Sequence, residues 1–215
     1  SVGVNNQSVN VKLTESGAKP VVWQQFGEDF RGKNVNIQEA IKAVEADFNV
    51  SKQPLIRVPQ EVYDAIKAGT PIDSLNLSTA NLISSHAATV RDDKDLTLGI
   101  VGKDYSPCQN IRAFEFIDFI KEVSGEEPIV ETAGVLGNGE RLFVSCRLGA
   151  DSYLNPNDAV NNYVIFTNAH DGSGSVMAFF TNIRVICSNT LAMAIKGCPN
   201  KVMFKHTKNL NQRLD

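Results

Sequence analysis

Apolar residues recur at Ile37, Ile41, Val44 and Phe48, at spacings of four, three and four, and so form one stripe of a helix. Asn36 stands before the stripe with Glu39 three residues on, which predicts a capped helix from Ile37 to about Phe48. Residues 50–58 are strand-like, but Pro54 interrupts them and Pro59 ends them, as in an edge strand or an extended connector. Val62 and Ile66 before Gly69 predict a short helix over 59–68. Residues 69–95 are polar and mixed, with a weak strand at 87–90. Alternation of Leu96, Leu98 and Ile100 then predicts a strand over 95–102. Ala113, Phe116, Ile117 and Ile120 share one helical face, placing a helix over 111–123 that Gly125 stops. Residues 129–136 and 141–148 flank Gly137-Asn138-Gly139, a hairpin signal. A second hairpin joins 163–168 to 176–180 through His170-Asp171-Gly172-Ser173, its outgoing strand running on toward Cys187. Asn189 is expected to cap a helix through Ile195, ended by Gly197-Cys198-Pro199. Residues 205–210 read as the start of a further helix.

Hairpins dominate and no βαβ repeat occurs, so the expected class is α+β, an antiparallel hairpin-rich sheet packed by a few helices. Residues 1–20 read as a polar tail or loose strand, and Trp23, Phe26 and Gly27 as an aromatic anchor. The rest, 21–215, reads as a single domain with a subdivision near 69–95. No run approaches the ~18–20 apolar residues that span a bilayer. No signal peptide is visible and no initiator Met is present, so the chain is expected to be processed or truncated.

Composition is that of an ordinary globular protein, 42% hydrophobic and 21% charged. Net charge is −3, which argues against a globally basic nucleic-acid binder. The balance is uneven, however. From Arg184 onward six basic residues stand against Asp215 alone, a local +5 that leaves −8 on the remainder. A basic segment on an acidic body hints at an anionic partner, and equally at a solvated helix end. Cys108, Cys146, Cys187 and Cys198 form no CxxC pair and no zinc template, so they read as reduced thiols in a cytoplasmic protein, with one or two disulfides as the alternative.

Several residues suggest chemistry. The His170-Asp171 doublet resembles a phosphohydrolase metal pair but lacks further ligands in sequence, and an Asx-type turn with Gly172 at positive φ accounts for it. Ser173 and Ser175 beside His170 show no nucleophile-elbow pattern. The Gly172-x-Gly174 and Gly137-x-Gly139 segments each lie between strands, so neither has the helix start of a phosphate loop. Arg184, in the apolar run Ile183–Cys187, either projects from a polar sheet face toward a phosphate or pairs with a carboxylate such as Asp118 or Asp171. With Asn189 and Thr190 it forms an anion-attracting strand-to-helix junction. Tyr105 with Gln109, Asn110 and Arg112 combines an aromatic with amide and guanidinium donors, as in sites for unpaired bases, or else forms turn and cap chemistry. No residue set implies a cofactor or a metal.

These segments also resemble one family as a set. The blocks are Val101-Gly102-x-x-Tyr105-x-x-x-Gln109-Asn110, Ala113-Phe114-x-Phe116-x-Asp118, and Thr132-Ala133-Gly134 with Gly139. Asn168-x-His170-Asp171-Gly172-Ser173, Phe180-Thr181-x-x-Arg184-Val185, Cys187-x-Asn189-Thr190-Leu191 and His206-Thr207-x-Asn209 complete it. Together, over roughly residues 20–212, they resemble the phage- and plasmid-like proteins grouped as domain of unknown function 932. The resemblance implies a setting in mobile elements near replication and recombination genes, and a longer helical C-terminus. At the level of fold it is also similar to phage single-strand annealing proteins. The expectation is a non-catalytic, nucleic-acid-associated protein, open to homo-oligomer formation, that binds single-stranded nucleic acid without touching a membrane. Its candidate contacts are Tyr105, Gln109, Asn110, Arg112, His170, Asp171, Arg184, Asn189, Thr190, Lys205 and His206. The alternatives are an enzyme acting on nucleotides or nucleic acid through His170, Asp171 and Arg184, and a phage–host interaction module.

Overall fold

The computed structural model describes residues 26–125, 127–148, 163–198, 201–204 and 206. Among these residues are four helices and nine strands, the strands forming two antiparallel sheets in an α+β architecture. Asn36 and Glu39 make the expected capping box, each accepting the other's backbone N–H at 2.9 Å, and start α1 (Ile37–Ala43). The helix ends short of Phe48 because Glu45 turns left-handed at φ 53, and Ala46 N–H closes on Ile41 O at 2.8 Å. A three-stranded sheet follows in the order β2 (Val50–Arg57), β3 (Asn81–Arg91), β4 (Leu96–Gly102), with α2 (Gln60–Lys67) between its first two strands. Strand β2 is an edge, and its register with β3 shifts between Pro54 and Leu55. Strand β3 is longer than its sequence suggests. Residues 81–86 are exposed on both faces, so no alternation marks them.

The larger sheet has the order β1 (Glu28–Asp29), β5 (Ile129–Leu136), β6 (Arg141–Arg147), β7 (Tyr163–Ala169), β8 (Val176–Thr181), β9 (Lys201–Phe204). Helices cover both faces. Val144, Phe166 and Ala178 pack with α1 and with α3 (Ala113–Ser124), while Phe143, Ile165 and Phe179 pack with α4 (Ser188–Gly197). Burial on both faces explains why β6–β8 read as near-continuous apolar runs rather than alternating ones.

Three expectations are corrected here. Strand β8 ends at Thr181, whose hydroxyl accepts Ile183 N–H at 3.0 Å, so it does not run on to Cys187. Residues 182–187 instead cross to the first segment, where Gly27 N–H meets Ile186 O at 2.8 Å. The cap of α4 is Cys187, not Asn189: Thr190 is the third helical residue, and its hydroxyl accepts Cys187 N–H at 3.0 Å. Phe26 is 65% exposed, so the anchor there is the backbone and Gly27, where a Cβ would lie 2.7 Å from Phe143. Trp23, residues 1–20 and most of 205–210 lie outside the described residues, while residues 201–204 just before them form β9, which carries no clear sequence signal. None of the four cysteines forms a disulfide.

The two sheets meet at one end of the larger one. Arg91, 4% exposed, reaches from β3 to Asn138 O in the β5–β6 turn at 3.0 Å and lies 3.9 Å from the Phe48 ring centre. Thr89 Oγ1 donates to His170 O at 2.7 Å. Gly99 of β4 abuts Asp171 so closely that a Cβ would lie 2.5 Å from the Asp171 Cα.

Candidate functional site

The turn between β7 and β8 is held from within. Gly172 takes φ 81, and both the backbone N–H and the hydroxyl of Ser173 donate to Asp171 Oδ1, at 2.9 and 2.5 Å. This is the Asx-type turn that explains the His-Asp doublet without a metal. His170 itself points into the protein and is fully buried.

Beneath the turn lies a buried polar network. Gln109 pairs with the backbone of Val50 in both directions, accepting its N–H at 2.8 Å and donating to its carbonyl at 2.9 Å, as a neighbouring strand would. Asn110 donates to Ala46 O at 3.0 Å, which leaves its Oδ1 to accept from His170 Nε2 at 2.7 Å and Asn168 Nδ2 at 3.2 Å. Asn168 Nδ2 also donates to Cys108 O at 2.7 Å. Because Asn110 Oδ1 can only accept, the His170 proton sits on Nε2, and its Nδ1 is a buried acceptor with no partner. Burial, reinforced by neighbouring His206, pushes His170 down to about 3. It is a neutral imidazole at physiological pH, a poor base tied into the fold.

Above the network the chain forms a small pocket. Tyr105 stacks on His206 with ring centres 4.5 Å apart and planes at 17°, and donates its hydroxyl to Ala169 O at 2.9 Å. His206 and Ser106 pair reciprocally. Ser106 N–H donates to His206 O at 2.9 Å, and His206 Nδ1 donates to Ser106 O at 3.1 Å. The Nδ1 proton leaves His206 Nε2 a second buried acceptor without a partner. Burial pushes His206 down to about 4, so it too is neutral. Tyr105, His206 and the Gly172–Ser175 loop line a shallow, open pocket of about 350 Å³, at the small end of the range for ligand sites. Arg141 stands behind the loop, its Nη2 3.2 Å from Ser173 Oγ.

The other candidates lie elsewhere. Arg112 pairs with Glu115 at 2.8 Å one helical turn on. Arg184 is paired, but neither with Asp118 nor with Asp171: its Nε donates to Glu131 Oε2 at 3.0 Å, and Asp29 stands 3.6 Å away. Glu131 also takes Arg147 at 3.1 Å. Nothing in the sequence singled out Glu131, which sits in an apolar strand and becomes a partner only when β5, β6 and the 182–187 crossing converge. This cluster lies at the Arg147 end of β6 and His170 at the Arg141 end, about 20 Å apart for a strand of that length. Arg184 therefore does not join His170 and Asp171. Asn189 is exposed, and Thr190 is committed to its cap. Lys205 lies outside the described residues. Gly99 and Arg141 were not foreseen; each matters through a contact distant in sequence.

The site offers an aromatic stack, hydroxyls, a nearby guanidinium and neutral imidazoles. Among the described residues no three His, Cys, Asp or Glu side chains gather as metal ligands would. Fold and site together define a two-sheet antiparallel α+β protein in which Tyr105, the 172–175 turn and His206 line one pocket. The chain belongs to the family described as a domain of unknown function (DUF932), whose model matches residues 97–215. No curated protein and no solved structure matches it. The matched stretch begins at β4 and includes Tyr105, the 168–175 turn and His206. No helix is long and apolar enough to cross a membrane, among the described residues.

Proposed function

We propose that this protein is a non-catalytic, nucleic-acid-associated factor of phage- or plasmid-type mobile elements, working in the cytoplasm and holding single-stranded nucleic acid at the Tyr105–His206 pocket. One observation carries the reading. His206, which walls the pocket and stacks on Tyr105, belongs to the basic C-terminal stretch with Lys201, Lys205 and Lys208. A stacking surface and a basic stretch of sequence thus share His206. Aromatic stacking contributes roughly 1–3 kcal/mol per unpaired base, and lysines along the backbone add salt-dependent affinity. The internal ties of His170, Asp171, Gln109 and Asn110 favour a binding role over a catalytic one, since His170 Nε2 is held by Asn110, Asp171 Oδ1 by Ser173, and Gln109 and Asn110 by the backbone of Val50 and Ala46.

Titration of fluorescent single-stranded DNA with the full chain tests this. Binding is expected at about 50 mM salt, weakening steeply by about 200 mM. No binding at the lower salt refutes the proposal.

A second reading, a protein-interaction module, is favoured by the distal part of the small sheet. There Ile56 and Leu82 face each other across β2 and β3 while 58% and 66% exposed. A pull-down from host lysate lost on Ile56→Ser and Leu82→Ser, with DNA binding absent, selects that reading instead.

A further inference from the structure

Arg141 differs from the other arginines. Arg31, Arg91, Arg112, Arg147 and Arg184 all hold carboxylates. Among the described residues only Arg57, on the exposed distal part of β2, and Arg141 do not. Arg141 is half-buried, so its charge is partly withdrawn from water without a counter-ion. The fold carries it to the back of the pocket loop, at the first position of β6, where it pairs with Ala169 just before the turn. Its Nη2 touches Ser173 Oγ, and a Cβ on Gly174 would lie only 3.2 Å from that nitrogen, so a larger residue there would crowd the guanidinium. Asp171 is the nearby carboxylate, but its Oδ1 is engaged by both donors of Ser173, and it makes no ion pair with Arg141. Ser175 adds a second hydroxyl to the pocket wall. Lys103, exposed and two residues before Tyr105 in sequence, is a further charge of the same sign.

We infer that the Gly172–Ser175 loop with Arg141 is a phosphate-binding subsite, in which Arg141 and the Ser175 hydroxyl hold a phosphate group while Tyr105 and His206 border the adjoining base. The inference rests on the pocket being a nucleic-acid site and assigns the part of the ligand that enters it. Unlike a phosphate loop, it uses no helix N-terminus. Its charge comes from one unpaired guanidinium, and glycines at 172 and 174 keep the loop free of bulk. The phosphate can be a terminal one or an internal phosphodiester, since both present the same oxygens.

Amide NMR of the full chain, with inorganic phosphate exchanged for chloride at constant ionic strength, reads the subsite directly. Saturable shifts confined to residues 172–175 and the Arg141 Nε–H are expected. They should weaken by about tenfold or more in Arg141→Gln, as for loss of a charge-assisted hydrogen bond, and persist in Arg57→Gln. Should Arg141→Gln disturb the fold, Ser175→Ala gives the same readout, with weakening of at least about threefold expected. Single-stranded oligonucleotides with and without a 5′-phosphate then identify the source. A preference for the phosphorylated strand that Arg141→Gln abolishes assigns a terminal phosphate. Equal binding that Arg141→Gln weakens assigns the backbone. Phosphate that leaves the loop unshifted, or shifts it equally in Arg141→Gln, overturns the subsite. If DNA still binds in that case, the broader nucleic-acid reading stands, whereas loss of both removes the two together.

Discussion

Acidification from pH 7 to 4.5 should destabilise this protein through two residues, His170 and His206. Both are neutral in the folded state, lowered by burial to about 3 and about 4, and each has one nitrogen already donating its proton inside the fold. In the unfolded chain each titrates near 6.5. The unfolded state therefore takes up protons first as pH falls below about 6.5, and stability contributed by keeping these rings neutral drains away until the folded values are reached. At about 1.4 kcal/mol per pH unit, two units cost roughly 2–3 kcal/mol per histidine, so about 5 kcal/mol together by pH 4.5. That is a large share of a typical domain's stability. The Asp29 carboxyl, held well below the usual range by hydrogen bonds from Arg31, is exposed and enters only at lower pH, so the window from 6.5 to 4.5 isolates the histidines. Urea unfolding at pH 7, 5.5 and 4.5 measures the effect, and His170→Gln should remove about half of the slope. Unfolding free energy that stays level across this range refutes the placement of both rings, and an unchanged slope in the variant refutes that of His170.

Gly99→Ala should cost about 2 kcal/mol or more, because its Cβ would meet Asp171 Cα at 2.5 Å and the Asp171 carbonyl oxygen at 2.7 Å, backbone atoms that cannot swing aside. Gly102→Ala, with nothing within 4 Å, should be close to neutral; thermal denaturation of the pair checks both. Asn110→Ala strips the acceptor from buried His170 Nε2 and the donor from Ala46 O, and about 2–3 kcal/mol should be lost in urea unfolding. Glu131→Gln leaves Arg184 and Arg147 without their shared carboxylate and should lower stability by about 2–4 kcal/mol. Repeating it in an Arg184→Ala background should lower that cost, and additive losses in this double-mutant cycle would argue against direct coupling.

Sequence patterning located most elements because local signals were strong. The Asn36–Glu39 capping box, the Gly137-Asn138-Gly139 turn and the Gly125 stop each act within a few residues, and each appears in the structure. Where the decisive contact is remote, the pattern misleads. Glu45 ends α1 without glycine, and the exposed half of β3 shows no periodicity. Thr190 caps through Cys187, leaving the stronger capping residue Asn189 exposed within the helix. The candidate residues split in the same way. His170 was identifiable as a polar residue between apolar runs, Tyr105 and Asn110 as an aromatic and amide cluster, and His206 through the family block that carries it. Their roles were not, because Gln109 serves Val50, fifty-nine residues away, and His206 meets Ser106 across one hundred. Arg184's true partner, Glu131, is likewise fifty-three residues distant, beyond any spacing rule.

The central claim is that single-stranded nucleic acid lies against Tyr105 and His206. Photo-crosslinking of a bromouracil-containing DNA strand to the full chain, followed by peptide mapping, tests it most directly. The account predicts adducts on the peptides carrying Tyr105 or His206, diminished by Arg141→Gln. Adducts confined to residues 52–86 of the small sheet and its helix, or none at low salt, would contradict it.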